Sequence, residues 1–338
     1  MTRVDIVGAG VAGLALAATL RRPQWQVTVH DPRWDVPDVG TAFGIWPSAM
    51  AALDTIGLAD DVRTSGVRCP TAVIRDASGS PLKRLSGQDV WLVSRPDLVG
   101  ILRAAVPVDV RCGRGRIDDP TALESDLVVG ADGVHSVVRR HVWGGRSMPR
   151  PPRVTVLRGV APAIAGVDGL QEWWGTAAHV GCTPNPDGTT NWFASFPRLP
   201  ALSASSDVEE SLAHARAITS TFAALPRAVV ESATPGATLV HDVRTSRRLL
   251  SVRRDRYVLV GDAAHAMAPN LGRGACESIR DAVALGTLLN AHEPADAVSL
   301  HRRLVGPQAI AMAASAVMRL TMCESGAGVR DRVLRSIP

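Results

Sequence analysis

The stretch "VDIVGAGVAGLALAATLRR" constrains the chain more than any other. A short β-preferring run leads into Gly8-Ala9-Gly10-Val11-Ala12-Gly13, and an apolar helical pattern follows. The first glycine permits a tight turn, the second lets backbone approach a pyrophosphate, and the third lets helix and strand pack closely. The pyrophosphate then rests on the free N–H groups of the helix start. A second run, "QVTVH", ends at Asp31, 18 residues beyond Gly13, where a carboxylate can bind ribose hydroxyls. Strand, helix and acid in register predict an α/β, Rossmann-like dinucleotide-binding domain at the N-terminus. The glycines alone do not separate NAD from FAD.

A second junction of this kind lies at "YVLVGDAAHAMAPNLGRGACESIRDAVALGTLL", residues 257–289. Tyr257 to Val260 reads as a buried parallel strand that stops at Gly261-Asp262. A helix is predicted from Gly274, with Ala275, Ile279, Ala282, Val283, Gly286 and Leu289 at helical spacing. A carboxylate at the strand end accepts hydrogen bonds from hydroxyls, and a helix start presents partial positive charge. The pair suits a ligand with a polyol and an electron-rich end. An ordinary βα turn with a capping aspartate is the plainer alternative.

Composition narrows the class. The chain has 338 residues, 46% hydrophobic and 20% charged, enough for two domains or one large one. Its formal charge is +5, yet Lys83 is the only lysine, and no basic run is interleaved with aromatics. Nucleic-acid binding is therefore not expected. Cysteines 69, 112, 182, 276 and 323 are scattered, without metal-ligand spacing, so no metal is expected and a reducing cytoplasm is. The N-terminal apolar run is too short to span a membrane, and Asp5 sits where a signal sequence carries positive charge.

Four stretches together resemble the single-component FAD-dependent aromatic monooxygenases of the 4-hydroxybenzoate hydroxylase fold. They are the fingerprint with Asp31; "GTAFGIWPSAMAALDTIGL" (40–58); "LVVGADGVHSVVRRHV" (127–142), with Asp132, Gly133, Ser136 and Arg139; and the Gly-Asp stretch at 261–262. "SRPDLVGIL" (94–102) adds Arg95, which maps onto a flavin-contacting arginine. The resemblance implies a Rossmann-like FAD-binding domain, a discontinuous β-sheet substrate domain and a C-terminal helix. The expected partition is 1–66, 88–150 and 244–300 for FAD, 67–87 and 151–243 for substrate, and 301–338 as a C-terminal helical segment. It implies FAD contacts at Gly8, Gly10, Val11, Ala12, Gly13, Asp31, Arg33, Gly44, Arg95 and Asp132. It adds Asp262 on the ribityl chain, and Pro269, Gly272, Arg273, Gly274 and Ala275 along the isoalloxazine edge. Arg273, where relatives often carry glutamine, either reaches toward the flavin, or points to solvent or pairs with an acid such as Glu277.

The implied reaction is reduction of FAD by NADH or NADPH, then oxygen transfer from a flavin C4a-hydroperoxide to an aromatic or polyketide-like small molecule. A reductase or dehydrogenase of the same fold, or a flavin-binding helper with little turnover, are the alternatives. A monomer or homodimer is expected, as is no further thioredoxin-like domain, since the chain ends at Pro338. The 19 residues from Val108 to Asp126 predict a loop where relatives carry a longer β-meander. "LQEWWGTAAHVGCTPNPDGTTNWFASFP" reads as two strands around a Pro-Asn-Pro-Asp-Gly hairpin turn. A helix is expected over 205–225, with 228–230 as its extension, and a closing helix over 296–325. No catalytic base is identified. Tyr257, the only tyrosine, is assigned to the core, and His265 to a structural role. Trp46, His179, Trp192, Met267 and Pro269 are candidate pocket residues, along with Trp174. His179 faces either way by strand alternation. Arg158 reaches the pocket or makes a surface salt bridge.

Overall fold

The computed structural model describes residues 2–21, 23, 25–34, 41–176, 178–198, 207–268, 272–304 and 324–336. In chain order its strands are β1 (Thr2–Val7), β2 (Trp25–His30), β3 (Ala42–Ile45), β4 (Val67–Asp76), β5 (Pro81–Ser94), β6 (Arg111–Gly113) and β7 (Leu127–Gly130). They continue with β8 (Val154–Ala161), β9 (Leu170–Trp174), β10 (His179–Pro184), β11 (Thr190–Pro197), β12 (Thr238–Val243), β13 (Arg253–Arg254) and β14 (Tyr257–Leu259). The helices are α1 (Val11–Thr19), α2 (Pro47–Thr55), α3 (Ala59–Ser65), α4 (Arg95–Ala104), α5 (Val137–Trp143) and α6 (Val208–Thr219). They continue with α7 (Ala224–Glu231), α8 (Asp262–His265), α9 (Gly274–Ala291), α10 (Pro294–Leu304) and α11 (Glu324–Ser336).

Six strands form one sheet in the order β13-β14-β7-β1-β2-β6, parallel except for the edge pair β13/β14. Its central strands are continuous apolar runs because helices shield them from water. α1 and α9 lie together, and their Leu14, Leu16, Ile279 and Leu285 share the main core with Val4 and Ile6. The two helices approach closely at Gly286, where a β-carbon would lie 2.6 Å from that of Thr19.

The other eight strands form a second sheet, β12-β8-β11-β10-β9-β4-β5-β3. One face is covered by α6 and α7: Leu212, Ala215, Val229 and Val230 share a core with Trp173, Val180, Cys182 and Trp192. The sheet curls the other way, so that Asn191 on β11 accepts a hydrogen bond from the Ala42 amide of β3, with four strands between them in sheet order (2.9 Å). The uncovered face is therefore concave.

Several sequence expectations are corrected. The hairpin at Pro184–Thr190 is present, but Leu170–Trp174 adds a third strand antiparallel to β10. The helix over 205–225 does not run on through 228–230. Phe222 is buried against Gly175, and the Ala223 amide bonds the Ala77 carbonyl (2.8 Å), which separates α6 from α7. β5 runs through residue 88, the expected domain boundary, and with β3 belongs to the eight-stranded sheet. Residues 108–126 are mostly loop, as expected, but β6 within them adds an edge strand beside β2. Of the closing helix expected over 296–325, residues 305–323 lie outside the described residues.

Candidate functional site

Three distant segments converge because β14, β7 and β1 are neighbours in the parallel sheet. Their C-terminal ends carry Asp262, Asp132 and Gly8, at the edge of an open α/β sheet where ligands bind. Gly8 has φ +107°, and a β-carbon on it would lie 2.5 Å from the Ala131 carbonyl oxygen. Gly261, at φ +57°, abuts the β-carbon of Ala12 in the same way, at 2.7 Å. The turn after β1 is thus pressed between the two Asp-bearing turns. Gly13 closes the packing: its β-carbon would fall 1.9 Å from the Gly8 carbonyl oxygen.

Gly10 differs. It has an ordinary extended conformation, and nothing lies within 4 Å of where its β-carbon would be. The protein itself does not require a glycine there; a ligand lying against the backbone does. No side chain caps α1, so its first N–H groups are left for a ligand. Asp31 accepts from the Ala9 amide (2.8 Å) and the Arg33 amide (2.8 Å), which fixes its carboxylate beside the turn.

Asp132 accepts from the Val137 and Val138 amides through Oδ2, while its buried Oδ1 has no partner among the described residues. Burial pushes this carboxyl up, against the hydrogen bonds of Ser136 and the α5 amides. Asp262 is solvent-exposed yet crowded by protein on its other sides, so that desolvation raises its pKa against the charges of His265 and Arg95. A side chain both exposed and deeply set lies at the floor of a cleft. No side chain caps α9, whose first turn follows Gly272 at φ +59°. These features fit FAD: unfilled space at Gly10, an orphaned acceptor at Asp132, a carboxylate in a cleft and two uncapped helix starts.

Behind this floor lies a buried charged cluster that the sequence did not reveal. Asp281 of α9 accepts from the Gly261 amide (2.8 Å) and lies 2.9 Å from His265 Nε2 and 2.6 Å from His301 Nε2 of α10. It fixes the turn that presents Asp262. Arg139, fully buried, donates to the carbonyls of Ser147, Ala263, Ala264 and Arg247, tying α5 to α8. Desolvation lowers its pKa to about 10, so it stays charged at neutral pH.

The other sequence candidates sort by position. Arg273 pairs with Glu277 (3.2 Å), which also takes Arg280 (2.9 Å), and stacks over the Trp46 ring at 5.7 Å. Of the alternatives for Arg273, the ion pair with Glu277 is formed. Gly44 lies on β3, its carbonyl accepting from Cys276 Sγ (3.2 Å). Arg95 begins α4 with its guanidinium 5.9 Å from the Phe43 ring centroid, within electrostatic reach of Asp262. Trp192 is corrected: it projects from the helix-covered face of the second sheet and is fully buried there, so it does not line the cleft. His179 is on the concave face, buried between Trp174 and Phe193, with Nε2 3.1 Å from Glu172. Met267 is half-buried beyond α8, while Pro269 lies outside the described residues. Tyr257 is core, and His265 is structural, as expected. Among the described residues no His, Cys, Asp and Glu are grouped to hold a metal, and no helix is long and apolar enough to cross a membrane.

Residues 107–302 match a family described as FAD binding domain. A 3-amino-4-hydroxybenzoate 2-monooxygenase of Streptomyces cremeus is 31% identical, over 90% of this chain and 84% of the relative. An aurachin C monooxygenase/isomerase of Stigmatella aurantiaca is 29% identical, over 85% of this chain and 80% of the relative. Among solved structures, Klebsiella pneumoniae HpxO complexed with FAD and uric acid superposes with a TM-score of 0.85 at 21% identity, over 99% of this chain and 93% of that one.

Proposed function

Because the chain belongs to the FAD-dependent aromatic monooxygenases of the 4-hydroxybenzoate hydroxylase fold, we propose that its cleft holds FAD non-covalently and oxygenates an aromatic small molecule, with NADH or NADPH as transient reductant. The observation that carries this reading is the meeting of Gly8, Asp132 and Asp262 around an uncapped helix start, with space left at Gly10. The cofactor binds across the six-stranded sheet, and the substrate lies under the concave face of the eight-stranded one. Bound FAD supplies the redox and oxygen-transfer chemistry.

The residues of this chain bind and orient. The backbone at Gly10 and the first turn of α1 receive the pyrophosphate. Asp31 keeps lone pairs for ribose hydroxyls, and Asp262 accepts from a polyol chain at the cleft floor. The α9 start sets partial positive charge where negative charge builds on reduction. The curled sheet excludes water from the reacting face.

The test is NADH or NADPH oxidation by the FAD-loaded protein, with and without a panel of hydroxylated and amino-substituted aromatics and N-heterocycles, under ¹⁸O₂. The expected result is substrate-stimulated oxygen uptake with one ¹⁸O atom in the product. Nicotinamide oxidation that reduces the substrate without oxygen uptake would instead identify a reductase.

A further inference from the structure

The concave face holds a carboxylate with one oxygen to spare. On β9, Trp173 belongs to the helix-covered core, so alternation turns Glu172 and Trp174 toward the cleft. Glu172 lies opposite Gly181 of β10, and a β-carbon on that glycine would fall 2.3 Å from the Phe193 ring. The bare position lets Phe193 fold over β10, across from Glu172. His179 stands edge-to-face between Phe193 and Trp174, with ring centroids 5.0 Å and 5.4 Å away.

Glu172 Oε2 accepts from the Trp174 indole (2.8 Å) and lies 3.1 Å from His179 Nε2. An indole only donates and an ionised carboxylate only accepts, so His179 carries a proton on Nε2 and the two donors fix the plane of the carboxylate. His179 is 2% exposed and is shut off from a ligand, whereas the Glu172 side chain keeps 17%. Oε1 has no partner among the described residues and, unlike the orphaned Oδ1 of Asp132, is not sealed from solvent. Nor does Glu172 pair with an arginine or lysine among the described residues. Asp76 of β4 is paired with Arg335 (3.3 Å). Arg330 of α11 stacks over Trp174 and donates to the Trp174 and Gly175 carbonyls and to Asp331. Arg158 of β8 has Arg95 and His241 as its electrostatic neighbours. One carboxylate oxygen therefore faces a cleft walled by aromatic rings, held in place from behind by two neutral donors. A ligand O–H or N–H gives it a charge-assisted hydrogen bond, and the low-dielectric surroundings strengthen that bond.

We infer that Glu172 Oε1 is the acceptor that selects the substrate: the aromatic ring docks beside Phe193 and donates a hydroxyl, amine or heterocyclic N–H to it. His179 is a positioning residue that acts through Glu172. This rests on the oxygenase reading above and specifies which aromatics its cleft takes.

The experiment compares naphthol with its methyl ether, indole with N-methylindole and aniline with N,N-dimethylaniline. Calorimetry measures binding to FAD-loaded wild type, Glu172→Gln, His179→Gln and His179→Phe, and flavin content is measured separately. At least one donor is expected to bind wild type about tenfold or more tighter than its methylated partner, because methylation leaves the acceptor unsatisfied. In Glu172→Gln the Trp174 and His179 donors hold the amide oxygen and turn the NH₂ group to the cleft. The preference should then vanish or invert, with the methylated partner bound at least as well as by wild type. His179→Gln, which still offers an N–H to Glu172, should retain the preference, and His179→Phe should lose most of it. The inference is overturned if no donor outbinds its methylated partner, if the preference survives Glu172→Gln, or if Glu172→Gln weakens both members of each pair equally, which would make Glu172 a structural residue. A preference that survives His179→Phe overturns the positioning role. A wild type that holds no flavin refutes the oxygenase reading instead, and the comparison of donors with their methylated partners is still read from the protein.

Discussion

Replacing Asp281 with asparagine is expected to destabilise the protein by about 3–5 kcal/mol, the cost of breaking a buried ion pair from one side. Asp281 is 1% exposed and serves the Gly261 amide, His265 and His301 together. Burial pushes its carboxyl up, but His301 and His265 outweigh that and hold it well below the ordinary range. Such a carboxylate contributes stability above about pH 4, its unfolded value, and the contribution is lost as pH falls through the lower folded value. His265 runs the other way. Burial alone would lower it, but the bond and charge of Asp281, with the charges of Asp262 and Glu277, raise it. Its contribution is complete below about pH 6.5 and is lost as pH rises through the folded value. The gap between wild type and Asp281→Asn, measured by denaturant unfolding, should therefore be widest from about pH 4 to 6.5 and narrow at higher pH. Equal stabilities at pH 6 would show that the cluster does not hold the Gly261 turn. His265→Gln, which keeps the carboxylate bound to His301 and Gly261, should cost less.

The two fingerprint glycines should separate fold from ligand. Gly13→Ala puts a β-carbon 1.9 Å from the Gly8 carbonyl oxygen, so backbone must move. Its cost is expected at the upper end of the roughly 1–3 kcal/mol typical of overpacking, together with loss of FAD. Gly10→Ala meets no protein atom within 4 Å. It should change ligand-free stability by no more than about 0.5 kcal/mol, as at an open site. Yet it should weaken FAD about 10- to 100-fold, as one charge-assisted backbone contact is lost. Thermal melting of ligand-free protein and FAD titration read the two effects separately. A Gly10→Ala variant that binds FAD like wild type would remove the pyrophosphate from that turn.

What the sequence made legible was local. Gly8, Gly10, Gly13 and Asp31 are fixed by spacing along one βαβ unit, and the Gly261-Asp262 turn by the abrupt end of an apolar run. The hairpin at Pro184–Thr190 follows from its turn residues. What stayed hidden depends on which segments meet. Asp281, His265 and His301 lie on three helices, and nothing in their spacing marks a shared cluster. Trp192 and His179 both sit on sheet strands, and only the placement of α6 and α7 decides which face is core and which is cleft. The break between α6 and α7 was missed because Phe222 is anchored by Gly175, a contact between distant segments.

The central claim is that the cleft between Gly8, Asp132 and Asp262 is an FAD site. The direct measurement is the flavin stoichiometry of the purified protein after saturation with FAD and removal of excess, read from its visible spectrum and from the flavin released on denaturation. The account predicts one FAD per chain, released intact because it is held non-covalently, and markedly less in Asp262→Ala. A wild-type protein that stays colourless after FAD is added, or an Asp262→Ala variant that retains FAD as tightly as wild type, would contradict it.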